Sequence, residues 1–282
     1  MLSRLLLMWL ALSFSFDIKL APLFTIIGFL LLRAINSIGL ALDPVFFPQI
    51  RRMKMTRPIV IVGNPRSGTT FLHRFLVEHD LGAGMRLWKM LFPSLTLQVL
   101  LRPFVPLLER FSPAKHHASA AHVTSLTGIE TDDPALFFRY FDGFFAYGFF
   151  LAWAEEDVRA LFDPETRDTS GRDFAFLEKM WIRHLIGEKK GRMIPKLFSL
   201  TVRIPKESVM VVTYDRLMMD FDQLMLEIMA FIGVTPSDEL LAIIRTTAER
   251  QRQFKSAHHY DLQRFGLSAA KIRDDYAPFL RG

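Results

Sequence analysis

The chain has 282 residues, half of them hydrophobic, with a formal net charge of +6 and a pI of about 9.6. Its length suits one α/β domain plus an appendage. It contains no cysteine, which excludes disulfides, thiolate zinc sites and thiol catalysis. A mean hydropathy of +0.21 is high for a soluble enzyme and implies apolar surface that meets lipid or a partner. The positive charge suits an anionic ligand or an anionic membrane surface; solubility is the plain alternative. No nucleic-acid module is legible.

Residues 5–16 and 20–32 are apolar, with Asp17 and Lys19 between them and Arg33 after the second run. Neither run alone reaches the roughly 20 residues of a membrane span, although 20–42 does if Arg33 is tolerated. Three arrangements stay open: a membrane hairpin or interfacial anchor, one spanning helix, or a helix packed on the main domain. No small-residue cleavage site follows the first run, so a cleaved signal peptide does not fit. The expectation is a membrane-associated segment over 1–50 and an α/β domain over 51–282. Arg51, Arg52, Lys54 and Arg57 precede the first strand. Beside an apolar segment such charges favour the cytoplasmic face of a membrane; a solvated linker would carry them equally well.

Residues 58–76 read PIVIVGNPRSGTTFLHRFL. A β-branched run from Pro58 to Val62 reaches a loop bounded by Gly63 and Gly68. Thr69 and Thr70 then open a helical pattern with Phe71, Leu72, Phe75 and Leu76. Strand, glycine loop and helix N-terminus together hold a phosphate or sulfate with backbone N–H groups. The Gly63-x-x-x-x-Gly68 spacing is that of a P-loop, with Thr69 where the P-loop lysine belongs. A nucleotide triphosphatase needs that lysine and a carboxylate-held magnesium. Arg66 sits inside the loop instead, a fork donor suited to phosphate or sulfate oxygens.

Residues 85–160 read as mostly helical. The aromatic run from Phe137 to Phe150 is too dense for one helix face and is either core or the lining of an apolar acceptor pocket. Asp163 to Asp173 reads as a loop and 174–187 as a helix. Val209 to Thr213 reads as a second buried strand. A helix with Leu224, Ile228, Phe231 and Ile232 follows and stops at Gly233.

Pro65-Arg66-Ser67-Gly68-Thr69-Thr70 resembles the 5′-phosphosulfate loop of sulfotransferases that use 3′-phosphoadenosine 5′-phosphosulfate (PAPS), and VGNPRSGTTFLHRFL is similar to their bacterial branch. HVTSLTGIETDD, from His122 to Asp133, resembles that branch's acidic segment. VMVVTYDRLMMDFDQLMLEIMAFIGV, from Val209 to Val234, is similar to the family's strand–Tyr–acidic–x–Leu–helix segment, and the tail SAHHYDLQRFGL also fits. The resemblance covers roughly residues 43–275. It implies a P-loop-like parallel sheet flanked by helices, and sulfuryl transfer from PAPS, without a metal, to an acceptor such as a lipid or carbohydrate hydroxyl. Pro65, Arg66, Ser67, Gly68, Thr69 and Thr70 would bind the donor, with Arg66 stabilising charge. Family members use a glutamate or histidine as base. Glu130, in the acidic segment, is the first candidate; a cleft carboxylate with a raised pKa suits that work. His122 and His73 follow, with His73 also suited merely to orienting the first helix, and His116 and His117 read as surface residues.

The pattern breaks at the 3′-phosphate half-site, which in the family is an arginine motif ending a central strand. Met193-Ile194-Pro195-Lys196 fits the lysine strand that precedes it, but Arg203-Ile204-Pro205 with Ser208 follows too closely to be the arginine motif. A segment of some tens of residues is absent between about 197 and 204, with its strand. The half-site is therefore missing or rebuilt from Arg203, Ser208, Lys189 or Lys190. Two rival readings remain: a weak or inactive membrane-associated relative, and a nucleotide kinase.

Overall fold

Two apolar helices, α1 (Leu2–Phe16) and α2 (Leu20–Phe46), open the chain as a hairpin. The turn forms at Asp17, which takes the left-handed conformation at φ 51°, and Trp9 Nε1 closes it by donating to the Lys19 carbonyl at 3.0 Å. The computed structural model describes residues 2–64, 67–112, 125–129, 132–142, 147–151, 167–197, 205–254, 268 and 270–273. The chain forms two compact units, Met1–Val209 and Met210–Gly282.

In the first unit the helical hairpin is part of a core. Leu5 and Met8 of α1 and Ile26 of α2 pack with Phe141 and Phe150. Phe29 stacks on Phe138 at 5.5 Å and meets Phe150 edge-on at 5.7 Å, the offset geometries that aromatic rings prefer. The described part of the aromatic run is therefore core. Arg4 fastens α1 through Asp142, a buried carboxylate that also pairs with Arg167 and Arg172.

A two-stranded parallel sheet holds the middle of this unit. β1 (Ile61–Val62) pairs with β2 (Lys196–Leu197), Ile61 opposite Lys196 and Val62 opposite Leu197. The ladder begins upstream, where Ile59 N–H donates to Met193 O at 3.0 Å. On its other side Met193 bridges Ala83 in parallel, so the chain leading into β2 is flanked on both edges. Helix α3 (Thr69–Glu78) follows β1, then the short helices α4 (Leu87–Leu91), α5 (Leu95–Leu101) and α6 (Val105–Phe111). Helix α7 (Ser170–Glu188) starts four residues before the predicted 174. Its polar opening turn reads as loop, but Thr169 Oγ1 bonds Asp173 Oδ2 at 2.7 Å and stabilises the start. Trp181, Met180 and Leu185 of α7 pack with Met85, Met90 and Met193 over the sheet.

Val209–Thr213 is not a strand. It is irregular, Val211 is 79% exposed, and the two units divide between Val209 and Met210. The run has strand propensity, but among the described residues no chain offers it a ladder, and propensity without cross-strand pairing does not hold a strand.

The second unit is helical: α8 (Tyr214–Met219), α9 (Phe221–Phe231) and α10 (Asp238–Gln253). Leu224 and Ile228 of α9 and Ile244 and Ala248 of α10 are buried. Gly233, at φ 70°, terminates α9 as its position predicts, with Val234 N–H reaching back to Met229 O at 2.8 Å.

Candidate active site

β1 delivers the chain to a loop whose described residues are Gly63, Asn64, Ser67 and Gly68. Ser67 turns back on Asn64, its N–H and its hydroxyl both donating to the Asn64 carbonyl at 3.3 and 2.7 Å. Gly63 has no room for a side chain: a Cβ there would lie 2.7 Å from Thr69 Cγ2 and 2.8 Å from Ser67 Oγ. Gly68 sits at φ 83°, the left-handed region, and caps α3. Among the described residues no side chain caps this helix end. The N–H groups and positive dipole end at such a helix start favour an anion.

Lys196 meets this end from the neighbouring strand. Its side chain is only 3% exposed. Nζ donates to Thr70 Oγ1 at 3.1 Å and lies 3.3 Å from Asp132 Oδ1. Charge of the kind the P-loop carries next to its second glycine arrives here from β2. Sequence reasoning placed Lys196 on a lysine strand but not its partners, which come from 126 and 64 residues away.

Asp133 fixes this lysine strand. It is buried, and it accepts from Lys196 N–H at 2.8 Å and from Trp181 Nε1 at 2.8 Å, joining β2 to α7. Burial pushes its carboxyl up to about 7; the two hydrogen bonds and the Lys196 charge oppose that rise, while Asp132 adds to it. Where Asp133 holds its proton, Asp132 is the carboxylate that answers the Lys196 ammonium.

His73 and His184, two described histidines of the sheet region, are buried and bonded to backbone carbonyls. His73 is buried in α3, and its Nε2–H donates to Ile194 O at 2.8 Å, tying the helix to the chain entering β2. That bond suits the orienting alternative for His73. His184 Nε2 donates to Gly84 O at 3.0 Å, and burial, with nearby Lys89, lowers its pKa to about 4.

Ser67, Gly68, Thr69 and Thr70 are thus brought together with Lys196 and Asp132. Pro65, Arg66, His116, His117, His122, Glu130 and Arg203 lie outside the described residues. Ser208 ends an exposed short turn, Lys206–Ser208. Lys189 and Lys190 follow α7 and precede β2, at the amino-terminal end of the parallel strands, whereas the loop lies at their carboxyl end. Lys190 is paired there with Asp80. These two lysines therefore do not face the loop. Among the described residues no cluster of three or more histidine or acidic side chains offers a metal site.

Residues 58–152 match the family model described as the sulfotransferase family. Among solved structures, the crystal structure of the sulfotransferase STF9 from Mycobacterium avium aligns with a TM-score of 0.60 and 14% sequence identity, covering 86% of this chain and 81% of that chain. At that identity the likeness is one of fold. A comparison with curated proteins gives no match.

Proposed function

We propose that this chain, a transferase of the sulfotransferase family by its match over residues 58–152, moves a sulfuryl group from PAPS to an acceptor hydroxyl. One observation carries the reading. Lys196 Nζ stands 3.1 Å from Thr70 Oγ1, at a helix end that no described side chain caps and that a glycine loop precedes. A buried ammonium and a set of N–H donors converge where a phosphosulfate would sit. A P-loop-like cradle of Pro65, Arg66, Ser67, Gly68, Thr69 and Thr70 accounts for the motif, with Arg66 and Lys196 as its cations.

In the reaction the acceptor oxygen forms a bond to sulfur as the bond from sulfur to the 5′-phosphate oxygen breaks. The leaving nucleotide, 3′,5′-ADP, keeps the bonding pair. Lys196 and the α3 N-terminus stabilise the charge that grows on that phosphate. The acceptor proton passes to a carboxylate of the 130–133 segment. Glu130 is the first candidate from the motif, and Asp132 is the second because it stands beside Lys196. His122 remains the histidine alternative. An acceptor hydroxyl on a lipid or carbohydrate, and a membrane-associated chain with its α/β part on the cytoplasmic side, accord with the apolar helix α2 and the cationic stretch from Arg51 to Arg57.

A second reading has its own support: the described sheet has two strands, and Val209–Thr213 lies outside it. A relative without a 3′-phosphate half-site would bind PAPS weakly or not at all. A transfer screen with PAPS over lipid and sugar acceptors tests the choice. Sulfated product that disappears with Lys196→Met supports the enzyme. No product with any acceptor, together with magnesium-dependent ATP turnover, would favour a kinase instead.

A further inference from the structure

Helix α2 has two unlike sides along 27 residues, about 40 Å at 1.5 Å per residue. The inner side is fixed to the first unit by polar bonds. Asn36 Nδ2 donates to Leu91 O at 2.8 Å, and Ser37 Oγ accepts from Arg139 at 3.0 Å. Asp43 is fully buried and accepts from Arg183 Nε at 2.8 Å, Ser94 Oγ at 2.7 Å and Thr96 N–H at 2.9 Å. At Gly39 a Cβ would lie 2.7 Å from both Leu97 Cγ and Ser94 Oγ, so α5 lies directly against the helix.

The outer side has no charge. Leu20, Phe24, Ile27, Leu31, Ile38 and Phe46 are exposed at spacings that follow the helix period. Every other exposed residue from Leu20 to Phe46 is apolar or glycine, except Thr25. The Thr25 hydroxyl donates back to Ala21 O at 2.9 Å and so needs no water. Helix α5, which packs on this helix, also exposes Val99, and α6 further along the chain exposes Leu107 and Phe111. Uncovered apolar surface of this extent marks an interaction face.

Charge says what the face meets. Asp17 and Lys19 are exposed before α2, and Arg51, Arg52, Lys54 and Arg57 are exposed after it. An apolar stripe with cations at its margin suits acyl chains below anionic headgroups. The inner side decides how the helix lies. A span over the full length of α2 would carry into the hydrocarbon what is bound to its residues 39–43, namely α5 and the Arg183–Asp43 pair that joins it to α7. Among the described residues α2 is the one helix long and apolar enough to cross. The apolar helix beside it, α1, has 15 residues and is too short to span.

We propose that α2 lies in the plane of an anionic bilayer, its outer stripe among the acyl chains and its inner side part of the catalytic unit. This rests on the membrane-associated reading above and fixes its geometry. An acceptor lipid would then reach the site laterally, from the leaflet that holds the enzyme.

The absence of cysteine makes the test clean, since Lys19→Cys and Gln49→Cys each carry a sole thiol, one at either end of α2. Spheroplasts and inverted membrane vesicles from cells making the full chain are treated with a membrane-impermeant maleimide, before and after detergent. The expected result is membrane-bound protein in which both thiols react in the same preparation without detergent. If one thiol reacts in spheroplasts and the other in inverted vesicles, the helix spans and the in-plane geometry is wrong. If the protein stays in the soluble fraction, the membrane reading itself fails. A complementary measurement is flotation of the purified chain with phosphatidylglycerol-containing vesicles. Ile27→Asn with Ile38→Asn, both on the exposed stripe, should weaken binding about tenfold or more. Unchanged binding would overturn the stripe as the contact.

Discussion

Two β-branched runs of this chain have opposite fates. Pro58–Val62 feeds a paired strand, with Ile61 buried against β2 and its N–H on Pro195 O at 2.9 Å. Val209–Thr213 has similar composition, yet it is irregular and largely exposed. Local preference is much the same in both; the difference is a partner. The first run lies beside a segment that is itself flanked on both edges, and the second has no ladder among the described residues. In this chain the candidate site gathers where strands pair: β2 brings Lys196 to the helix that β1 leads into.

Four measurements would break or sharpen that contrast. The largest effect is expected at Lys196. Lys196→Met keeps the stem and removes the charge, and should cut sulfuryl transfer by about 10²–10³-fold, the usual loss of one transition-state donor. Unchanged transfer with an unchanged thermal midpoint would show that the ammonium serves neither catalysis nor stability. Next, Ile61→Ala removes buried side chain from the paired run and should cost about 2–5 kcal/mol in denaturant unfolding. A cost under about 1 kcal/mol would mean that this sheet contributes little.

Asp133 offers a pH signature. In the folded chain burial keeps it protonated up to about 7, against 3.8 for an ordinary aspartate. Its stabilising share is therefore complete below 3.8 and is lost as pH rises through 7. His184, lowered from 6.5 to about 4, slopes the other way, losing its share as pH falls through that window. The comparison is thus between wild type and Asp133→Asn. The wild-type advantage should shrink from acid to neutral pH, and a constant difference would show that Asp133 does not titrate there. The smallest effect is expected at Val211→Ser, within about 0.5 kcal/mol, as for an exposed residue outside a sheet. A loss like that of Ile61→Ala would return 209–213 to the core.

What could be read in advance follows the range of each interaction. The two apolar runs, the strand and helix either side of the glycine loop and the stop at Gly233 are written in local periodicity and turn chemistry, and helices, strand and stop form there, although α2 runs on to Phe46 and the paired strand is only Ile61–Val62. Helix α7 begins at Ser170 because of one side-chain bond, Thr169 to Asp173, that a polar loop-like turn conceals. The strand at 209–213 fails because pairing is not local. Asp43 was unremarkable in sequence, yet it joins α2 to α5 and α7 across 51 to 140 residues. The same holds at the site: the motif exposes Ser67 to Thr70, and position relative to Pro195 suggests Lys196. The Thr70–Lys196–Asp132 contact needs three distant segments to meet, and no spacing records it.

The central claim is that the loop from Gly63 to Thr70, with Lys196, holds a phosphosulfate nucleotide. Isothermal titration of the full chain with 3′,5′-ADP tests it most directly. Micromolar binding that weakens sharply in both Arg66→Ala and Lys196→Met is the predicted result. No detectable binding, or binding indifferent to both substitutions, would contradict it.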